Sequence, residues 1–472
     1  MEQTGLNKQV KEDGTQAPPL CYAPFISLLI DTNRGVRPCC AWQGDYMGNL
    51  AEDKLPDILN SKAWKDIQNQ MLQQEWPYGC TGCKQREAYT GRSVRLDFTE
   101  QAERLDIKES PLLVEVELNS SNRCNLTCIH CSSDFSSSWI ELEQKLVEDK
   151  FALYQRTKFT PQQFEQNPEK TLADFSSIDT GHIRVLRFKG GEPFMNKEVK
   201  QLLLYLNTKG RLANIDIEFI TNGTVIDKGY FELLQNARSV DFALSIDGIG
   251  DIQKYIRYGN SGVDRIEAFI GFFSSLPNVR FEPLVSVMPY NVFRLNGVVE
   301  WWQGINKLYP AVTDSFVSFN LMVIQPEYLN LNVLSDETRS RLIEQLKQIP
   351  GADFKHVIQA LQAPYAGPHW RKRFVEYTRL MNKYRGFAIE DIVPELAAEL
   401  VVPEGSSALN YPQFIEELNF LIANNCCTAE MYMKRAILKY ESGDKAAAIE
   451  DFKIVYKLNP ALIDVIPVHW FW

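Results

Sequence analysis

Between residues 111 and 326 short apolar runs alternate with stretches long enough for helices. The runs are LLVEVEL, IRVLRF, IDIEFI, VDFALSI, FEPLVSV and FVSFNLMVI. Strands separated by helix-length connections predict parallel pairing, because parallel neighbours need a long crossover. The expected fold class is α/β, with this segment as a partial (β/α)6 TIM-type barrel. In such a barrel chemistry collects where strands end and loops begin. The connection from Cys131 to Gly190 is long, and its SSSWIELEQKLVEDKFALYQ portion predicts an inserted or extended helix.

The flanks read differently. Residues 1–20 are polar, without apolar period, and predict a loose tail. Residues 21–110 predict a small cysteine-rich α+β module: FISLLI and VRPCC flank DTNRG as a hairpin, and Trp64, Ile67, Met71 and Leu72 recur at helical spacing behind a capping Ser61. Residues 327–427 predict a helical extension. The last segment, 428–472, is similar to one tetratricopeptide repeat, with Ala436, Gly443, Asp444, Ala448, Phe452 and Pro460 at its small, turn, aromatic and terminating positions. A single repeat leaves a face uncovered, so it is expected to dock on the rest of the chain or on a partner. An ordinary helical hairpin fits the same pattern.

Composition narrows the partners. A chain of 472 residues, 45% hydrophobic, can bury more than one core. Its 60 acidic and 50 basic side chains give a net charge of −10 with no basic block. Such a surface repels a phosphate backbone, so nucleic acid is not an expected partner. No apolar run approaches the roughly 20 residues that cross a bilayer, and residues 1–20 lack the order of a signal peptide. A cytoplasmic protein without a membrane partner is expected.

Ten cysteines fall into groups: Cys21, Cys39 with Cys40, Cys80 with Cys83, the set Cys124, Cys128 and Cys131, and Cys426 with Cys427. Thiols grouped at two- or three-residue gaps point to metal, and zinc or iron-sulfur are the candidates. CNLTCIHC follows the first barrel strand. Three thiolates that close hold three corners of a cubane and leave one iron open, although a zinc site short of one ligand has the same spacing. FKGGEP ends the next strand: two glycines admit a ligand to the backbone, and a carboxylate beside them accepts from an ammonium group. ITNGT and LSIDG close the third and fourth strands.

CNLTCIHC followed one β-α unit later by GGEP resembles the radical S-adenosylmethionine (SAM) superfamily. The resemblance implies a 4Fe-4S cluster on Cys124, Cys128 and Cys131 whose free iron chelates SAM. It places Gly190, Gly191, Glu192 and Pro193 at the methionine amino group, Ser245 at the ribose, Arg257 at the SAM carboxylate and His130 near adenine. The G-x-I-x-G-x-x-E adenine motif is not visible, which leaves backbone groups near Val287 for that role. Cys21, Cys39, Cys80 and Cys83 resemble the twitch domain, the shortened SPASM form, which implies a second, auxiliary 4Fe-4S cluster; zinc on the same four thiolates is the alternative. Relatives carry that domain after the barrel, whereas here it precedes it. Cys40 is a spare, because adjacent residues on a strand point opposite ways. Cys426 and Cys427 are expected to be ordinary thiols.

The implied activity is reductive cleavage of SAM to a 5'-deoxyadenosyl radical that removes hydrogen from a substrate. A fully ligated auxiliary cluster suits electron acceptance, hence oxidation or cross-linking of a peptide or protein. The implied partners are that polypeptide and an electron donor such as flavodoxin or ferredoxin. Dehydrogenation of a small molecule such as a sugar alcohol is the runner-up. A non-catalytic iron-sulfur or zinc protein that binds a partner is the third reading. No catalytic acid or base is identifiable.

Overall fold

The computed structural model describes residues 21–90, 93–104, 112–149, 151, 162–323, 326–401, 415, 419 and 429–458. The amino-terminal tail, Cys426, Cys427 and Pro460 lie outside them, as does much of the segment after Asp149.

The expected hairpin forms from β1 (Ser27–Ile30) and β2 (Gly35–Arg37), with β3 (Gly48–Asn49) antiparallel on β2. The following strands are β4 (Glu115–Leu118), β5 (Thr127–Cys128), β6 (Val185–Phe188), β7 (Asp216–Thr221), β8 (Ser239–Ser245), β9 (Arg257–Tyr258) and β10 (Val279–Leu284). Eight strands share one sheet in the order β10-β8-β7-β6-β4-β1-β2-β3. Strands β4, β6, β7, β8 and β10 run parallel, as their helix-length connections require. β1 adds to β4, also in parallel. The cysteine-rich module is therefore a continuation of the barrel sheet.

Five of the six expected barrel strands lie in this sheet. The sixth run, FVSFNLMVI, divides into β12 (Val317–Ser318) and β13 (Leu321–Met322). These pair outside the sheet with β14 (Ala352–Asp353) and β11 (Ser286–Val287) respectively. Phe319, between the two pieces, stacks on Phe354 at 4.7 Å and anchors the run to the extension. β10 is thus an edge strand, which is where its Pro283, lacking an N–H, is tolerated.

Register sorts the faces of the sheet. Leu118, Phe188, Phe219, Phe242 and Phe281 are cross-strand partners in one row, none more than 3% exposed. Helix Val263–Phe273 lays Phe269 and Phe273 on Phe242 at 5.2 and 5.3 Å. Burying each such ring stabilises the fold by about 1.5–3 kcal/mol. One residue earlier in every strand comes the row Glu117, Arg187, Glu218, Asp241 and Arg280. Strand alternation turns this charged row away from the helices, toward the inner face of the partial barrel.

Helix Lys62–Leu72 starts where expected, with Ser61 accepting from the Trp64 N–H. Trp64, Ile67 and Met71 are buried, but Leu72 is 61% exposed and leaves the predicted apolar face. Arg34, in the hairpin turn at φ 68°, places Nη1 2.8 Å from Glu198 Oε1 and ties the module to helix Lys197–Thr208. The predicted long helix after the cysteine loop is Trp139–Glu148, which ends at Asp149; Pro168–Ser176 follows. In the extension, helix Pro368–Arg385 inserts Phe374, Tyr377 and Met381 into the main core. At the carboxy-terminal end Ala429–Glu441 and Lys445–Leu458 pair around Ala436, Ile437, Ala448 and Phe452, a cluster separate from the main core.

Candidate active site at the cysteine loop

β4 delivers the chain to Asn119, and residues 119–123 cross the strand ends to Cys124. β5 then pairs antiparallel with β9, setting Cys128 opposite Arg257. Arg257 Nη1 donates to Cys128 Sγ at 3.7 Å, and its Nε lies 2.8 Å from Oδ2 of the fully buried Asp247. Cys124, Cys128 and Cys131 act on one another. Burial, then the neighbouring Cys128, pushes the Cys124 thiol up to about 12. Burial, then Cys128 and Cys124, raises Cys131. Burial raises Cys128 as well, with Arg257 pulling it back.

Raised pKa values mean that the three groups stay neutral thiols unless positive charge is brought to them. They fit well as ligands, because bound cations supply the missing positive charge. Among the described residues no three His, Cys, Asp or Glu converge tightly enough for a single ion. The three thiols share one loop, and an iron-sulfur cluster is the group that this donor set would hold.

The diglycine turn lies against this loop. Gly190 and Gly191 adopt φ of +79° and +57°, and a Cβ on Gly191 would sit 2.7 Å from the Ser121 and Arg123 carbonyl oxygens. The Glu192 N–H donates to Arg123 O at 2.9 Å. The Glu192 side chain is buried and differs from the open carboxylate that sequence suggests. Oε1 accepts from Thr221 Oγ1 at 2.7 Å and Phe194 N at 3.1 Å, and Oε2 accepts from Asn222 N at 2.9 Å. Three of about four acceptor positions are taken. Burial raises its pKa against these bonds. Asn222 Nδ2 in turn reaches Cys124 Sγ at 3.9 Å and Asn125 Oδ1 at 3.0 Å, joining the third strand end to the cysteine loop. Pro193 and Phe194 are buried behind the turn.

Ser245 ends β8, 6% exposed, with its carbonyl accepting from Gln253 Nε2 at 3.3 Å. Asp247 Oδ1 accepts from Ser286 N at 2.7 Å, beside the buried Val287. The Arg257 guanidinium, expected on a ligand carboxylate, is already engaged by Asp247 and Cys128. His130 Nδ1 lies 4.0 Å from Asp247 Oδ2; burial pulls its pKa down to about 4, so the ring is neutral.

Sequence reasoning missed what braces the loop. Three consecutive carbonyls each accept from a side-chain donor: Thr127 O from Arg385 Nη2 at 2.9 Å, Cys128 O from Trp139 Nε1 at 2.9 Å, and Ile129 O from Tyr377 Oη at 2.7 Å. Arg385 and Tyr377 lie about 250 positions away on helix Pro368–Arg385, and no local motif marks them.

Cys21, Cys39, Cys80 and Cys83 line one cleft together with Trp42, Trp76, Arg95 and Phe98. Burial pushes Cys21 and Cys80 up to about 12, each thiol also raised by its neighbours. Burial, then Cys21, raises Cys39. Four thiols lining one cleft among aromatic side chains have the donor set of a fully ligated cluster. Cys40 is not in the cleft. The residue is exposed at the surface; partial desolvation raises the thiol, and the charges acting on it are Lys189, Glu117, Glu115 and Arg187 of the inner barrel face.

Residues 118–279 match the Radical SAM superfamily model, and residues 21–84 match the SPASM iron-sulfur cluster-binding domain model. The chain is 32% identical over 139 residues to Fe-coproporphyrin III synthase of Methanosarcina barkeri, a match spanning 29% of this chain and 28% of that protein. Among solved structures, Streptococcus suis SuiB bound to precursor peptide SuiA is similar at TM-score 0.33 and 13% identity, covering 71% of this chain and 69% of that one. SuiB bound to S-adenosylmethionine is similar at TM-score 0.29 and 14% identity, over 54% and 48%. No helix among the described residues is long and apolar enough to cross a membrane. The two matched domains imply SAM, its 4Fe-4S cluster and an auxiliary iron-sulfur cluster as cofactors. The chain carries a radical SAM domain over residues 118–279, preceded by a SPASM-type iron-sulfur domain over residues 21–84.

Proposed function

We propose that Cys124, Cys128 and Cys131 hold the SAM-binding cluster, that Cys21, Cys39, Cys80 and Cys83 hold the auxiliary one, and that the enzyme oxidises or cross-links a peptide or protein. When bound, the reduced cluster and SAM supply a 5'-deoxyadenosyl radical able to remove an unactivated hydrogen atom. The residues of the chain do the rest. Gly190 and Gly191 bring backbone close to the cysteine loop, and Glu192 clamps that turn to Thr221 and Asn222. Ser245, which ends β8, and the neutral His130 of the cysteine loop are assigned to the ribose and adenine sides of SAM. Arg257, paired with Asp247, holds the Cys128 corner rather than a ligand carboxylate.

The observation that carries the oxidative reading is the four-cysteine cleft. A cluster with every corner taken has no site for substrate, which leaves electron acceptance as its role. The carboxy-terminal helical pair, packed around Ala436, Ile437, Ala448 and Phe452, supports a polypeptide substrate, since helical pairs of this pattern commonly bind peptides. A small-molecule substrate is the second reading, favoured by the 32% identity to Fe-coproporphyrin III synthase.

The test is anaerobic. Reduced protein given SAM yields 5'-deoxyadenosine, and Cys128→Ala abolishes that product while the auxiliary iron stays. Loss of both clusters together, or of neither, overturns the assignment. Adding peptide and small-molecule fractions of a cell extract separately, and following 5'-deoxyadenosine, separates the two substrate readings.

A further inference from the structure

We propose that Arg385 is a positioning residue that sets the reduction potential of the SAM-binding cluster from the Cys128 side. The inference rests on Cys128 being a ligand of that cluster. Arg385 ends helix Pro368–Arg385 and is 5% exposed. Nη2 is bonded to Thr127 O, the residue before Cys128, at 2.9 Å. Nε and Nη1 are buried without a hydrogen-bond partner among the described residues. The guanidinium is held over Tyr255 at 4.9 Å and Tyr258 at 5.6 Å, and Tyr258 is the β9 partner of Thr127. The cation is therefore fixed beside the β5–β9 bridge by one hydrogen bond and two ring faces.

Two cations act on Cys128, Arg257 and Arg385. Their charge is not equivalent. Arg257 is matched by the carboxylate of Asp247 at 2.8 Å, so its positive charge is largely cancelled. Arg385 has tyrosines as its electrostatic neighbours, and among the described residues no carboxylate pairs with it. An uncompensated buried cation favours whichever state of a nearby cluster carries more negative charge, which is the reduced one. Arg385 accordingly eases the one-electron reduction that precedes SAM cleavage. It acts through charge on the cluster and touches no substrate.

The experiment is an EPR-monitored redox titration of the anaerobically reconstituted full chain, with the auxiliary cluster as internal reference. Arg385→Gln is expected to move the SAM-binding cluster to a more negative potential and leave the auxiliary cluster where it was. Arg385→Lys, which keeps the charge, is expected to stay near the parent value. Tyr377→Phe removes the neighbouring brace to Ile129 O at 2.7 Å without changing charge, and is expected to leave the potential unmoved. An unchanged potential in Arg385→Gln overturns the proposal. So does an equal shift in Tyr377→Phe, which makes the effect one of loop position. Should Arg385→Gln not fold, a shift in Arg385→Lys as large as the spread between the two clusters also overturns it. A protein that holds no iron at the trio fails the Cys128 assignment instead, a separate outcome.

Discussion

Replacing Gly191 by alanine tests whether the diglycine turn and the cysteine loop are one packed unit. Gly191 has φ +57°, where a residue with a Cβ pays about 1–2 kcal/mol. The new methyl also meets the Ser121 and Arg123 carbonyl oxygens at 2.7 Å and Arg123 N at 3.2 Å. These are backbone atoms and cannot swing away, so the overpacking adds about 1–3 kcal/mol. Gly210 separates the two terms: its φ is +64°, yet nothing lies within 4 Å of its Cβ position. Gly210→Ala is therefore expected to cost only the backbone term. The assay is urea denaturation of both variants beside the parent, together with iron bound per chain after anaerobic reconstitution. Gly191→Ala should lose about 1–3 kcal/mol more than Gly210→Ala. It should also bind less iron, because the displaced segment 121–123 leads directly into Cys124. Coincident midpoints with equal iron would refute the reasoning.

Three other outcomes are expected. Cys39→Ser loses the auxiliary iron and Cys40→Ser keeps it, read from iron and sulfide analysis; equal loss in both contradicts the cleft assignment. Arg34→Ala removes the cation beside the carboxylate of Glu198, whose side chain is 0% exposed and keeps Thr171 Oγ1 and Asn167 N as donors, and costs at most about 3–5 kcal/mol in denaturant titration. A loss too small to measure would mean that the hairpin is held to the barrel by other contacts. Burial, then Glu218, raises the Asp241 pKa against Arg280. The folded chain thus favours the protonated acid: this group's stabilising contribution is full below the ordinary Asp value of about 3.9 and is lost as pH rises through the raised folded value. Asp241→Asn should therefore match the parent in acid and gain on it toward neutral pH, in midpoints followed across that window; an advantage that grows on acidification contradicts the assignment.

What could be seen in the sequence was what short-range pattern encodes. The alternation in IRVLRF and VDFALSI gave both a strand and its two faces, and the spacing of CNLTCIHC gave three thiols on one loop. The FVSFNLMVI run looked equally strand-like, but Phe319 found Phe354 in the extension, a contact some thirty-five residues away that no local pattern carries. Glu192 was legible as a carboxylate beside two glycines, but its donors, Thr221 and Asn222, belong to the next strand end, so its closed state was not legible. Arg385 was invisible for the same reason: an arginine near a helix end is commonplace until the fold sets it beside Cys128.

The parallel pairing of β1 with β4 has a consequence for how the two cysteine groups relate. Domains joined by a linker can swing, and an electron passed between them then waits on the motion. Here a continuous hydrogen-bonded ladder runs from the hairpin that leads to Cys39 to the strand that leads to Cys124, so one sheet carries both cysteine groups. The same ladder makes the pieces interdependent: a barrel cut free at residue 111 would bare the backbone of Glu115–Leu118 as a raw edge, open to any strand that drifts by.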